Sequence, residues 1–131
     1  MALVLRGYGG MPSAPRDLLE RSAVFSSRLL RFYAKERKRG QVPHTLLQQM
    51  LRAGTAIGAH SAEAKSAITR RHLIALRAGA LREAREAQYW LHLAEQSGLS
   101  ADPAEVGWLY GESTELVAIL TTSVKRLRDM P

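Results

Sequence analysis

The chain has 131 residues, of which 46% are hydrophobic, enough for one domain with a continuous apolar core. It contains no cysteine, which excludes disulfides, thiolate metal sites and cysteine nucleophiles. Its 19 Lys and Arg against 12 Asp and Glu give a formal charge of +7, which attracts phosphate groups, acidic proteins and anionic surfaces.

Glycine and proline recur through residues 1–15 without a helical period, and this composition predicts a disordered N-terminal tail. Met11 is an alternative to Met1 as the natural start. The apolar run over residues 2–5 is too short for a signal-peptide core, and no stretch reaches the roughly 20 apolar residues of a membrane span. We therefore expect a cytoplasmic protein with no membrane partner, folded over residues 16–131.

The first predicted helix covers residues 16–38, where apolar residues recur at steps of three and four. Phe25, Leu29 and Phe32 lie on the stripe that should face the core. Gly40 is expected to end this helix in a left-handed conformation.

The second predicted helix runs over residues 43–64, with Pro43 suited to its first turn. Gly54 and Gly58 lie in its interior, where each costs about 1 kcal/mol relative to Ala. We therefore expect another helix backbone to approach closely at these glycines. Ser66 or Thr69 is available to cap the helix that follows.

The third predicted helix covers residues 69–97 and ends at Gly98. Asp102, Pro103 and Glu105 then form an N-cap, a first-turn proline and a capping-box glutamate for a fourth helix that ends near residue 129. Four amphipathic helices of similar length joined by short links predict an all-α, antiparallel up-down-up-down four-helix bundle.

Residues that could carry catalysis or bind metal show no convergent pattern. His44, His60, His72 and His92 share no ligand spacing and have no acid three residues before them, so neither a metal site nor a cofactor is predicted. Phosphate-binding loops, nucleophile elbows and dinucleotide glycine patterns are missing from the sequence. Arg82 and Glu86 have the spacing of an ordinary surface ion pair.

A ribonuclease is the remoter alternative. Some helical-bundle ribonucleases use an arginine and a histidine with four to six residues between them, and Arg39 with His44 and Arg85 with His92 match this pattern. Gly40 interrupts the first pair, and the second pair lies about 10 Å apart along a helix axis, too far for direct cooperation. We expect no enzymatic activity and assign no catalytic, cofactor-binding or metal-binding residue.

Two segments resemble the four-helix-bundle family related to the 23S ribosomal RNA intervening-sequence protein. Residues 52–64 (RAGTAIGAHSAEA) and 75–93 (ALRAGALREAREAQYWLHL) carry the likeness, which extends over residues 17–128. His60 stands where the family commonly has Asn. The resemblance implies a left-handed bundle, a homopentamer packed side by side, and no known enzymatic activity.

The chain is also similar in fold to the accessory variability protein of diversity-generating retroelements. That protein is a basic bundle that works with a reverse transcriptase and nucleic acid. This likeness implies RNA or DNA, and a reverse transcriptase or another protein, as partners.

Charge is predicted to concentrate at one tip, here called the basic end, where the start of helix 1, the link between helices 2 and 3, and the end of helix 4 meet. The opposite end balances Lys35, Arg37, Lys38 and Arg39 against Glu36, Glu95, Asp102 and Glu105. The basic end has the acids Asp17, Glu20, Glu63 and Asp129, which leave a balance of +4. Its eight cations are the candidate nucleic-acid-binding residues Arg16, Arg21, Lys65, Arg70, Arg71, Lys125, Arg126 and Arg128.

Three readings of this charge remain open. In the first, the protein is an oligomeric accessory protein that binds nucleic acid. In the second, it is a protein–protein scaffold or adaptor without a nucleic-acid role. Alternatively, the cations at the end of helix 4 only complement the helix dipole.

Overall fold

The computed structural model describes residues 18–131, so the predicted tail over residues 1–15 and the candidate Arg16 lie outside it. The described residues form four helices and no strand: α1 (Leu18–Arg39), α2 (His44–Ala64), α3 (Arg70–Ser97) and α4 (Pro103–Asp129). The all-α prediction is confirmed, and the helix bounds agree closely with those expected from the sequence. None of these helices is both long and apolar enough to cross a bilayer.

The four helices pack as a ring around one core. Each helix contacts its neighbours in the chain, and α1 also contacts α4, whereas α1 does not approach α3 and α2 does not approach α4. Contacts between neighbouring helices run in opposite order along the two helices; Arg21 of α1 meets Glu112 of α4, for example, while Arg28 meets Glu105. The largest fully buried apolar side chains are Phe25, Leu29, Leu47, Met50, Ile57, Leu91, Leu109, Leu116 and Leu120.

The two glycines of α2 differ in how closely α1 packs against them. A Cβ at Gly54 would overlap the Leu29 side chain, so α1 inserts a leucine where α2 has no side chain. A Cβ at Gly58 would lie 3.7 Å from the backbone oxygen of Ser22. The close approach is therefore found at Gly54, where it involves a side chain rather than the predicted backbone, whereas the contact at Gly58 is an ordinary one that does not require glycine.

Two links between helices have the predicted caps. Thr69 Oγ1 accepts the N–H of His72 at 3.1 Å and caps α3. Gly98 ends α3 with φ of 67°, in the left-handed region where glycine has no steric penalty. Asp102 Oδ1 accepts the N–H of Glu105 at 3.2 Å and caps α4.

Gly40 follows the last residue of α1 but does not have the predicted left-handed conformation. Its φ is not in the left-handed region, since Gly98 is the one described glycine with a positive φ. A Cβ at Gly40 would instead overlap the carboxylate of Glu36, which is buried in the core. The residue at position 40 must be small because this carboxylate occupies the adjoining space.

Glu105 also departs from its predicted role. Its carboxylate does not complete a capping box, because the N–H of Asp102 donates to Ser100 Oγ at 2.9 Å. Glu105 instead accepts two hydrogen bonds from Arg28, from Nε at 2.9 Å and from Nη2 at 2.5 Å. The side chain therefore joins α1 to α4 rather than closing the first turn of α4.

Candidate nucleic-acid interface

The structure brings the start of α3 and the end of α4 into direct contact. Arg70 Nη1 donates to the backbone oxygens of Met130 at 2.9 Å and Pro131 at 3.0 Å. Lys65 is the C-cap residue of α2 and precedes α3 by a short link. The exposed cations on these elements are Lys65, Arg70, Arg71, Lys125, Arg126 and Arg128.

Three described acids belong to the basic end, and Glu20 in the first turn of α1 is one of them. Glu63, in the last turn of α2, and Asp129, the last residue of α4, are both exposed. Arg126 and Arg128 lie in the last turn of α4, where a positive charge also interacts favourably with the helix dipole. The local charge is positive whether or not a ligand is bound.

Arg21 is engaged elsewhere in the bundle. Its Nε and Nη2 donate to the two carboxylate oxygens of Glu112 on α4, at 2.9 and 2.8 Å. This hydrogen-bonded pairing with Glu112 raises the pKa of Arg21. Because Glu112 already offsets its charge, Arg21 adds little to the surplus of the basic end.

The opposite end carries more positive charge at its surface than its formal balance of zero implies. Lys35 pairs with Asp102 at 2.9 Å, while Glu36 is buried and Glu105 is bound by Arg28. The last turn of α1 retains three exposed cations, none of which forms an ion pair with a carboxylate of residues 18–131: Arg37, Lys38 and Arg39. These residues offer a matched comparison for the basic end.

The predicted Arg82–Glu86 ion pair does not form in the described part of the chain. Arg52 of α2 instead reaches α3, where it pairs with Glu86 and lies 3.4 Å from Glu83. Trp90 Nε1 also donates to Glu86 Oε2, at 3.0 Å. The hydrogen bonds from Trp90 and Arg52 lower the pKa of Glu86.

The histidines stay apart in the structure. The His92 ring lies 5.7 Å from the Tyr110 ring, and the His44 ring 6.1 Å from the Tyr33 ring. His60 packs against Gly79 of α3, and its Nδ1 is buried without a hydrogen-bond partner. Within residues 18–131 no three His, Asp or Glu side chains gather as metal ligands would.

Arg77 is a notable basic residue that the sequence analysis did not select. It lies on α3 and is partly buried, and its Nη1 donates to Ser123 Oγ of α4 at 3.0 Å. Its Nε is buried without an acceptor, and burial lowers its pKa. One sequence signal was available: the residues three and four positions away on either side are Leu73, Ile74, Ala80 and Leu81, so no acid can pair with it along its own helix.

Fold and charge together define a small basic four-helix bundle. Comparison with solved structures finds a crystal structure from Bacteroides thetaiotaomicron, a protein of unknown function from the S23 ribosomal protein family. The TM-score is 0.74 and the identity 29%, over 82% of this chain and 98% of that one. The resemblance drawn from residues 52–64 and 75–93 is thereby confirmed.

The other comparisons add no relative. No protein-family model matches the chain. No curated protein matches it either.

Proposed function

We propose that the protein is a non-enzymatic accessory protein of the cytoplasm that binds nucleic-acid phosphate through its basic end. The observation that carries this proposal is the contact of Arg70 with the carbonyls of Met130 and Pro131, which joins two exposed groups of cations. A surface of this kind neutralises phosphates without reading bases. Both RNA and DNA remain candidate ligands, and a reverse transcriptase is a candidate protein partner.

The assembly we propose is a homopentamer of left-handed, up-down-up-down bundles packed side by side. The opposite order of contacts along neighbouring helices supports the antiparallel arrangement. Repetition of the basic end in an oligomer would strengthen phosphate binding through multivalency. Light scattering tests the subunit number, for which we expect five chain masses.

The experiment compares two charge reversals of equal size in the full chain. One changes Arg70, Arg71 and Arg126 to Glu at the basic end, and the other changes Arg37, Lys38 and Arg39 to Glu at the end of α1. Anisotropy of labelled single-stranded RNA and of duplex DNA is followed as salt is lowered. We expect affinity to rise steeply at low salt, and to fall at least about tenfold more in the first variant than in the second.

Equal losses in the two variants would contradict the basic end as the binding surface. Retention of binding after reversal of Arg70, Arg71 and Arg126 would contradict it as well. Circular dichroism of both variants establishes that the helices are intact.

The second candidate function is a scaffold or adaptor that binds protein rather than nucleic acid. Exposed apolar side chains favour it: Leu30 and Tyr89 are each 55% exposed, and Ile68 is 95% exposed. A scaffold would show negligible RNA affinity at physiological salt while a purified protein partner binds. The ribonuclease alternative requires RNA cleavage that is lost on His92→Ala or His44→Ala.

A further inference from the structure

Arg77 differs from the other arginines that contact a neighbouring helix. Arg21, Arg28 and Arg52 each pair with a glutamate, and that pairing raises the pKa of each guanidinium. Arg77 forms no ion pair with any carboxylate of residues 18–131. Its one described side-chain hydrogen bond is the bond from Nη1 to Ser123.

The surroundings of Arg77 leave its charge poorly compensated. Its Nε is buried and has no acceptor, although most buried donors in proteins are hydrogen-bonded. Within its own helix, the positions one turn before and after hold aliphatic residues. A partly buried guanidinium without a counter-charge is unfavourable, and a bound anion would remove this penalty.

We propose that Arg77 and Ser123 bind a phosphate-type oxyanion between α3 and α4. A guanidinium presents several N–H donors in one plane, which suits an oxyanion held by two hydrogen bonds. The Ser123 hydroxyl accepts from Arg77 and keeps its own proton for donation to the anion. Arg126 follows Ser123 by three residues on the same side of α4 and adds positive charge.

This inference goes beyond the proposed function, because it assigns a separate site between α3 and α4 for one phosphate group, either free or part of a nucleic acid. Inorganic phosphate and a nucleic-acid backbone present the same chemistry to it. The two sources are separated by the experiment, in which inorganic phosphate is the primary probe.

The test is thermal unfolding of the full chain in phosphate against NaCl of equal ionic strength. Saturating phosphate should raise the midpoint of the wild type by about 3–6 °C, because the ligand binds the folded state alone. Arg77→Met should abolish this rise. Arg82→Met, which removes an exposed arginine of the same helix, should retain it.

Ser123→Ala provides a second variant that preserves the arginine. It should weaken phosphate binding by about tenfold or more, as expected for the loss of one hydrogen bond to a charged group. The proposal is overturned if phosphate gives no rise beyond NaCl in the wild type. It is also overturned if both Arg77→Met and Ser123→Ala respond to phosphate as the wild type does.

RNA titrations of the same variants identify the source of the oxyanion. A loss of RNA affinity in Arg77→Met that exceeds the loss in Arg82→Met assigns a backbone phosphate to the site. Equal RNA affinity in the two variants, with the phosphate effect still dependent on Arg77, assigns a free oxyanion. If no variant binds RNA while the phosphate effect persists, the nucleic-acid proposal fails and the oxyanion site stands.

Discussion

The carboxylate of Glu36 accepts the backbone N–H of Ala101 through both oxygens, at 2.7 and 3.0 Å. Glu36 is 1% exposed, so this contact joins the end of α1 to the link between α3 and α4 inside the bundle. The N–H of Gln41 also donates to the oxygen of Leu99 at 3.1 Å. These contacts connect the end of α1 and the residues after it to the link between α3 and α4. The Glu36 carboxylate is tolerated in a buried position because both of its oxygens are hydrogen-bonded.

Gly40→Ala should destabilise the protein through this contact. The new Cβ would overlap the Glu36 carboxylate, whose displacement breaks both hydrogen bonds to Ala101. We expect the free energy of unfolding in urea to fall by about 1–3 kcal/mol. Gly111→Ala is the control, because its Cβ would meet no atom within 4 Å and the position is helical and exposed. The control should gain about 0.5–1 kcal/mol.

Gly54→Ala and Gly58→Ala should differ although both lie in α2 one turn apart. Ala at position 54 must displace Leu29 from a fully packed core, which costs about 1–3 kcal/mol. Ala at position 58 would meet Ser26 Oγ at 3.5 Å, an ordinary contact, so higher helix propensity should make it neutral or stabilising by up to about 1 kcal/mol. Urea unfolding of the two variants tests this, and equal destabilisation would show that α1 packs equally tightly against both glycines.

Most of the fold follows from the sequence because its signals are local. Thr69 and Asp102 precede helical stretches and can cap them whatever the tertiary structure, and Gly98 follows the last residue of one. Gly40 was misinterpreted because the sequence cannot distinguish a glycine needed for φ from one needed for space. The buried Glu36 responsible for that need continues the stripe of Leu29 and Phe32, yet its charge argued for exposure.

The candidate site was less predictable because ion pairs depend on distances between helices. Arg82 has the spacing to pair with Glu86, but Arg52 of the adjacent helix takes that carboxylate. Arg21 was assigned to the basic end from its position in the first turns of α1, whereas its side chain binds Glu112. The sequence places charges along each helix, while packing decides which of them remain exposed.

Arg28 and Glu105 should show a measurable coupling across the α1–α4 contact. Their side chains form a bidentate ion pair and are 32% and 22% exposed. The Cζ atom of Arg28 also lies 3.4 Å from the centre of the Trp108 ring. A double-mutant cycle with Arg28→Ala and Glu105→Ala should give a coupling free energy of about 0.5–1 kcal/mol, within the range of partly exposed pairs. Strict additivity of the two substitutions would show that the pair adds nothing to stability.

Asp102 should make stability depend on pH in acid. The ion pair from Lys35 and then the N–H of Glu105 lower the pKa of Asp102 below its ordinary value of 3.8. The folded state therefore binds the proton less tightly than the unfolded state. The stabilisation is fully present above pH 3.8 and is lost as pH falls through the lowered pKa of the folded state.

Asp102→Asn isolates the charge, because Asn caps a helix as well as Asp does. Urea unfolding between about pH 5 and pH 2 should show a smaller loss of stability in this variant than in the wild type. Lys35→Gln should give an intermediate slope, since the N–H of Glu105 still favours the carboxylate. If Asp102→Asn kept the full wild-type slope, the acid sensitivity would belong to another carboxylate. Glu86 would then be the first to test, since hydrogen bonds from Trp90 and Arg52 also lower its pKa.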